Sequence, residues 1–116
     1  MADQVEIQLP KTVFPEGSAF TATAYYRTRS TQAASTPTTV HYRVDCLTTK
    51  TKITDWTAVA SPSTSNSITI TTTENAIQDN TNLTERKQIV VKVDSGLSTQ
   101  YLGRATWTVE NIYGVT

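Results

Sequence analysis

Hydrophobic and polar positions alternate along much of this chain with a period of two, the spacing of strands that bury one face. In the first such segment Val5, Ile7 and Leu9 share one side and Gln4, Glu6 and Gln8 the other, until Pro10 ends the run. Val13-Phe14-Pro15-Glu16-Gly17 then reads as a turn-like break. A second strand runs from Ala19 to about Arg27, with Phe20, Ala22, Ala24 and Tyr26 inward and Thr21, Thr23, Tyr25 and Arg27 outward. The third places Val40, Tyr42, Val44 and Cys46 inward, with His41, Arg43 and Asp45 facing solvent. A shorter fourth piece surrounds Ile53 and Trp56, both expected at least partly inward, and a fifth turns Ile68 and Ile70 in. The sixth sets Ile89, Val91 and Val93 against Gln88, Lys92 and Asp94, and the last carries Tyr101, Ala105, Trp107 and Val109 inward. Polar connections at 30–38, 61–67, 73–84 and 95–99 separate these segments, and 74–79 is expected to form at most one helical turn. About seven short strands with turns between them predict an all-β fold: one antiparallel β-sandwich of the immunoglobulin-like kind, spanning 1–116 as a single domain.

Composition supports folding over disorder. The chain has 116 residues, enough for one core that buries roughly two thirds of the unfolded surface. Its 24 Thr and 9 Ser would suit a disordered chain, but Thr is β-branched, and nine aromatics with repeated Val and Ile supply a core. The net charge is +0, so the basic excess of a nucleic-acid binder is absent and no nucleic-acid partner is expected. Met1-Ala2-Asp3-Gln4 leads straight into a strand pattern without a signal-like segment, and no apolar run approaches the ~20 residues of a membrane span. A soluble protein made in the cytoplasm, with no membrane partner, is the expectation. Cys46 is the only cysteine, which fits a reducing compartment.

Val40-His41-Tyr42-Arg43-Val44-Asp45, then Thr48-Thr49-Lys50-Thr51 and Ile53-Thr54-Asp55-Trp56, resembles the third strand, turn and fourth strand of fibronectin type III-like and other immunoglobulin-like modules. The chain as a whole is similar to small stand-alone structural proteins of tailed bacteriophages that carry such modules. It departs from true immunoglobulin domains in having one cysteine, and from type III modules in having Tyr26 in place of a Trp and no Arg-Gly-Asp loop. The resemblance implies a virion protein assembled in the host cytoplasm: a capsid decoration or neck accessory subunit whose partners are capsid or portal subunits.

Little in the sequence points to catalysis. Nucleophilic mechanisms need a nucleophile, a base and an orienting group; His41 is the only histidine and falls on a solvent face. Asp45, Asp55 and Asp94 sit near strand ends, where they would gather at one pole or simply be solvated. Asp79-Asn80-Thr81-Asn82-Leu83-Thr84-Glu85 offers oxygens but lacks the glycine and acid spacing of a calcium loop. The four glycines are scattered, so no phosphate loop exists, and Cys46 reads as a buried small hydrophobe. No catalytic residue, metal ligand or cofactor is expected.

Surface is what remains. Tyr25, Arg27 and Arg29 lie along an outward stripe, Tyr113 stands in the tail, and Tyr and Arg are the types that anchor protein interfaces. These four are the candidate interface residues, in a chain expected to form a homo-oligomer. The competing reading is a carbohydrate- or cell-surface-binding module of a tail fibre. It needs exposed aromatics, which the inward placement of both Trp residues disfavours.

Overall fold

The computed structural model describes residues 2–94 and 100–112. Among them are eight strands and no helix: β1 (Gln4–Gln8), β2 (Val13–Pro15), β3 (Phe20–Arg27), β4 (Thr39–Cys46), β5 (Thr51–Ala58), β6 (Ser65–Ile70), β7 (Thr84–Asp94) and β8 (Tyr101–Glu110). They form a three-stranded sheet, β1-β3-β6, and a five-stranded sheet, β2-β8-β7-β4-β5. All pairings are antiparallel except that of β2 with β8. The chain is therefore all-β, as the alternation requires.

One core joins the two sheets. Ala22, Ala24, Tyr26, Ile68 and Ile70 come from the smaller sheet, and Val40, Val44, Ile89, Val91, Val93, Trp107 and Val109 from the larger. These are the inward residues expected from the period-two pattern, with Cys46 buried beside them. Val5, Ile7 and Leu9 of the first segment are half-buried against the same core.

Two local readings need correction. Val13–Pro15 is a strand and not a break, because Phe14 is buried, stacks on Phe20 at 4.0 Å, and Phe20 meets Trp107 edge-on at 5.2 Å. A three-residue strand with a single inward residue leaves no alternation to read. Strand β6 begins at Ser65, inside the stretch expected to be a loop. Strand β7 starts at Thr84, several residues before its apolar run, for a reason that lies in its buried charges.

The fourth segment also folds differently from its pattern. Between Tyr42 and Val44, and again between Val44 and Asp45, the β4–β5 register skips a residue on β5. Each skip is a bulge that shifts which face the following side chain takes. Ile53 packs against the core while Trp56, three residues on and still in the regular register, lies on the opposite, outer face. The expectation that both Trp residues point inward holds for Trp107, which is 1% exposed, and fails for Trp56.

Candidate functional site

The outer face of the five-stranded sheet collects the chemistry that the sequence kept apart. Register sets three rows across its central strands: His41–Lys92–Leu102, Arg43–Val90–Arg104 and Asp45–Gln88–Thr106. Trp56 from β5 joins the first two. Lys92 Nζ lies 4.3 Å from its ring centroid and Arg43 Cζ 5.4 Å, so one indole is held between two cations. Arg43, Trp56, Gln88, Val90, Leu102, Gly103 and Arg104 line a shallow groove. A second depression continues it past Asp45, Lys50 and Lys52. Leu102, 63% exposed, stands at its rim.

Local bonding fixes Trp56 there. Asp55 Oδ1 accepts the Trp56 backbone N–H at 2.8 Å, and Asp55 Oδ2 pairs with Lys52 at 3.2 Å. The bond from Trp56 N–H, then Lys52, hold the Asp55 carboxyl below its usual range. Arg43 Nε pairs with Asp45 at 3.1 Å, which stiffens the guanidinium beside the indole.

Register gathers more than half of the cations on this face. Six of the chain's ten cations, Arg43, Lys50, Lys52, Arg86, Lys92 and Arg104, stand on or beside this face. Asp45 lines it and Asp55 stands next to Trp56, each already paired with one of these cations, while Asp94 and Glu110 take outward register positions toward the ends of the sheet. Asp94 lies opposite Thr39 at the other end of β4 from Asp45, so the three strand-end aspartates do not gather at one pole. Antiparallel pairing forces that separation, setting the end of β7 against the start of β4. His41 sits half-buried in the outer row beside Lys92.

Of the residues singled out from sequence, Tyr25 and Arg27 lie on the three-stranded sheet. Both are half-buried on the outer side of β3 and share a recess with Ala34, Thr64 and Ser65. Arg27 Nε is buried without a hydrogen-bond partner among the described residues. Arg29 falls beyond the end of β3 in an exposed loop, its backbone N–H held by Asp3. Tyr113 lies outside the described residues. The structure thus brings Tyr25 and Arg27 together and places Arg29 past them.

At one pole of the core a polar cluster closes the 71–82 connection onto the sheets. Thr71 and Glu74 form a reciprocal cap: Thr71 N–H donates to Glu74 at 2.9 Å and Glu74 N–H to Thr71 Oγ1 at 3.2 Å. Asn75 is fully buried, accepts the Trp107 indole N–H at 2.7 Å and donates to the Ser18 carbonyl at 3.1 Å. Glu85 and Lys87 are also fully buried and pair at 3.3 Å. Glu85 further accepts backbone N–H bonds from Gln78 (2.7 Å) and Asp79 (2.9 Å), the Asn82 amide and the Cys46 thiol, while Lys87 donates to the Ala76 carbonyl at 2.6 Å. Burial pushes the Glu85 carboxyl up; the bonds from Gln78, Asn82 and Asp79 and the charge of Lys87 outweigh it and leave it below its usual range.

This bonding also decides the oxygen-rich stretch 79–85. Asp79 accepts from Thr81 N–H and hydroxyl at 3.0 and 2.7 Å, a side-chain turn, and Glu85 is turned away from it into the core. Among the described residues no three His, Cys, Asp or Glu side chains converge as a metal site would require.

Sequence reasoning missed the Trp56 face for two reasons. The hydrophobic bulk of Trp56 suggested burial although its three-residue spacing from Ile53 sets the two on opposite faces, and the register that gathers six cations on one face is not visible along the chain. The available signal was the spacing Lys52–Asp55–Trp56 next to Arg43-x-Asp45, two charge pairs flanking an aromatic on neighbouring strands. In comparisons with protein families, curated proteins and solved structures, the chain matches no family model, no curated protein and no solved structure.

Proposed function

We propose that this chain is a non-enzymatic, immunoglobulin-like β-sandwich that acts as a virion accessory subunit of a tailed bacteriophage, a capsid decoration or neck protein. Its work is to hold onto capsid or portal subunits through the Trp56 face. One observation carries the docking role: an indole turned outward and fixed between Arg43 and Lys92, beside half-buried Val90 and exposed Leu102. Trp and Arg in a partly apolar depression are the residue types that dominate interface energetics. Lys50, Arg86, Lys92 and Arg104 have no acidic partner among the described residues, which favours an acidic patch on the bound protein. The immunoglobulin-like assignment draws support from the strand order, in which a sheet of β1-β3-β6 faces one carrying β8-β7-β4-β5. The virion assignment rests on the sequence resemblance.

The test is co-sedimentation of purified protein with particles of the phage that encodes it. Wild type travels with the particle. Trp56→Ala at an interface centre costs ~2 kcal/mol or more, roughly a thirtyfold loss of affinity, and Arg104→Glu weakens binding further at low salt. Retention of both variants at wild-type level rejects the face. Failure of the wild type to bind any particle rejects the virion role.

A second reading gains from the same residue. An outward Trp is also what sugar-binding sandwiches use, so a tail-fibre carbohydrate module remains the alternative. The two cations over the Trp56 ring compete with a stacked sugar for that surface. Glycan affinity that rises in Lys92→Ala favours this second reading.

A further inference from the structure

An open sheet has edges whose unpaired N–H and C=O groups invite another strand, and proteins protect the edges they do not use. Among the described residues the two sheets have four edge strands, β1, β6, β2 and β5, and three are protected. β5 carries two bulges and the charges Lys52 and Asp55. β2 is three residues long and ends on Pro15. β1 carries Glu6 and closes onto β8: a Cβ added at Gly103 would lie 2.8 Å from the Val5 carbonyl oxygen, so the β1 backbone rests directly on that strand.

β6 has none of these devices. Ser65-Asn66-Ser67-Ile68-Thr69-Ile70 contains no charge and no proline, and pairs with β3 over all six residues without a register shift. The backbone alternation shows which groups it leaves open. Tyr26 N–H donates to the Thr64 carbonyl on the β6 side, and the Arg27 carbonyl accepts from Asp3 on the β1 side. By that parity the backbone groups of Thr64, Asn66, Ile68 and Ile70 turn toward β3, and those of Ser65, Ser67 and Thr69 face the free edge.

We propose that β6 is a strand-addition edge that takes the β6 strand of a second copy of this chain, antiparallel, making one continuous sheet across a two-fold axis. A two-fold interface uses the same patch on both copies, so a charge on the axis would meet its own copy and an edge of one sign would repel itself; β6 carries no charge. Centring the axis on Ser67 places Ser67 opposite its own copy and Ser65 opposite Thr69. All three are then residues whose backbone groups are free, and their hydroxyl side chains pair on the outer surface. The core-facing side continues with Ile68 and Ile70, buried at 4% and 0%. A strand from a different protein would have no need of an uncharged edge, because a complementary charge would then strengthen the fit. This edge belongs to the three-stranded sheet and does not depend on the Trp56 face.

Sedimentation velocity over a concentration series tests it, with circular dichroism and chemical unfolding as checks on the fold. The wild type shifts from monomer to dimer as concentration rises. Ser67→Pro removes an N–H from the free edge only, where strand prolines are tolerated. Ser67→Lys sets two like charges against each other across the axis. Both variants remain monomeric at the highest concentration while keeping β-sheet signal, and Trp56→Ala dimerises normally. If Ser67→Pro fails to fold, Ser67→Lys decides. A wild type that stays monomeric throughout, or a dimer that survives Ser67→Lys, overturns the proposal.

Discussion

The two halves of β7 solve the same problem by opposite means. From Ile89 to Val93 the inward positions are Ile89, Val91 and Val93, fully buried among aliphatic and aromatic neighbours. At the other end the inward positions are Glu85 and Lys87, equally buried and surrounded by donors and acceptors from the 71–82 connection. The apolar half gains from area removed from water and tolerates imprecision. The polar half gains only if every partner is in place, because a buried charge deprived of its partner retains the full desolvation penalty. Tight bonding of a loop to the sheet, with no ladder between them, is what the second arrangement provides.

Substitution separates the two. Glu85→Ala leaves Lys87 buried without its counter-ion and the Gln78 and Asp79 N–H groups unpaired, and is expected to cost ~3–5 kcal/mol in urea unfolding. Acid does part of the same thing without mutation. The Glu85 carboxyl is held below its usual range, so its contribution is present above about pH 4.3 and is lost as pH falls through the lower folded-state value. The denaturation midpoint of the wild type should fall there, and that of Glu85→Gln should fall less. Asn75→Ala strips the Trp107 indole N–H of its acceptor and costs ~1–3 kcal/mol. Ile89→Val, in the apolar half, costs only about 1 kcal/mol and leaves the pH dependence unchanged. If Ile89→Val proves as costly as Glu85→Ala, the contrast between the halves is wrong.

The smallest effect sharpens the comparison from the other side. The Tyr26 hydroxyl is buried with no hydrogen-bond partner among the described residues, a polar atom in the apolar region without the bonding that Glu85 enjoys. Tyr26→Phe should therefore match or slightly exceed wild-type stability. Burial also pushes the Tyr26 phenol up to about 12. The raised value means that stability is complete below pH ~10 and declines as pH climbs toward the folded-state value, a decline that Tyr26→Phe abolishes.

What could be read from the sequence follows the same division. Along Phe20–Tyr26, Val40–Val44 and Ile89–Val93, where burial is apolar and the strand is long, the period-two pattern named the inward residues correctly. Where burial is polar it hid them: Glu85 and Lys87 look like surface residues, so the inward set of β7 was read as beginning at Ile89. Asn75 likewise passed for part of an ordinary polar loop, since nothing local shows that Trp107 and Ser18 are waiting for it. The candidate site was obscured for two other reasons. Trp56, three residues after Ile53, falls on the opposite face by strict alternation, and only its hydrophobic bulk argued for the core. The gathering of cations on one face is a property of register, which sets Arg43, Val90 and Arg104 in one row from three distant parts of the chain.

The two indoles give the protein a built-in pair of spectroscopic probes. Trp107 is sealed in the core and hydrogen-bonded to Asn75, so its emission should be blue-shifted and insensitive to an ionic quencher until the core opens. Trp56 is partly exposed between two cations and should emit further to the red, with an anionic quencher drawn to it. Unfolding can be followed on the first and occupancy of the outer face on the second, in one cuvette and without a label.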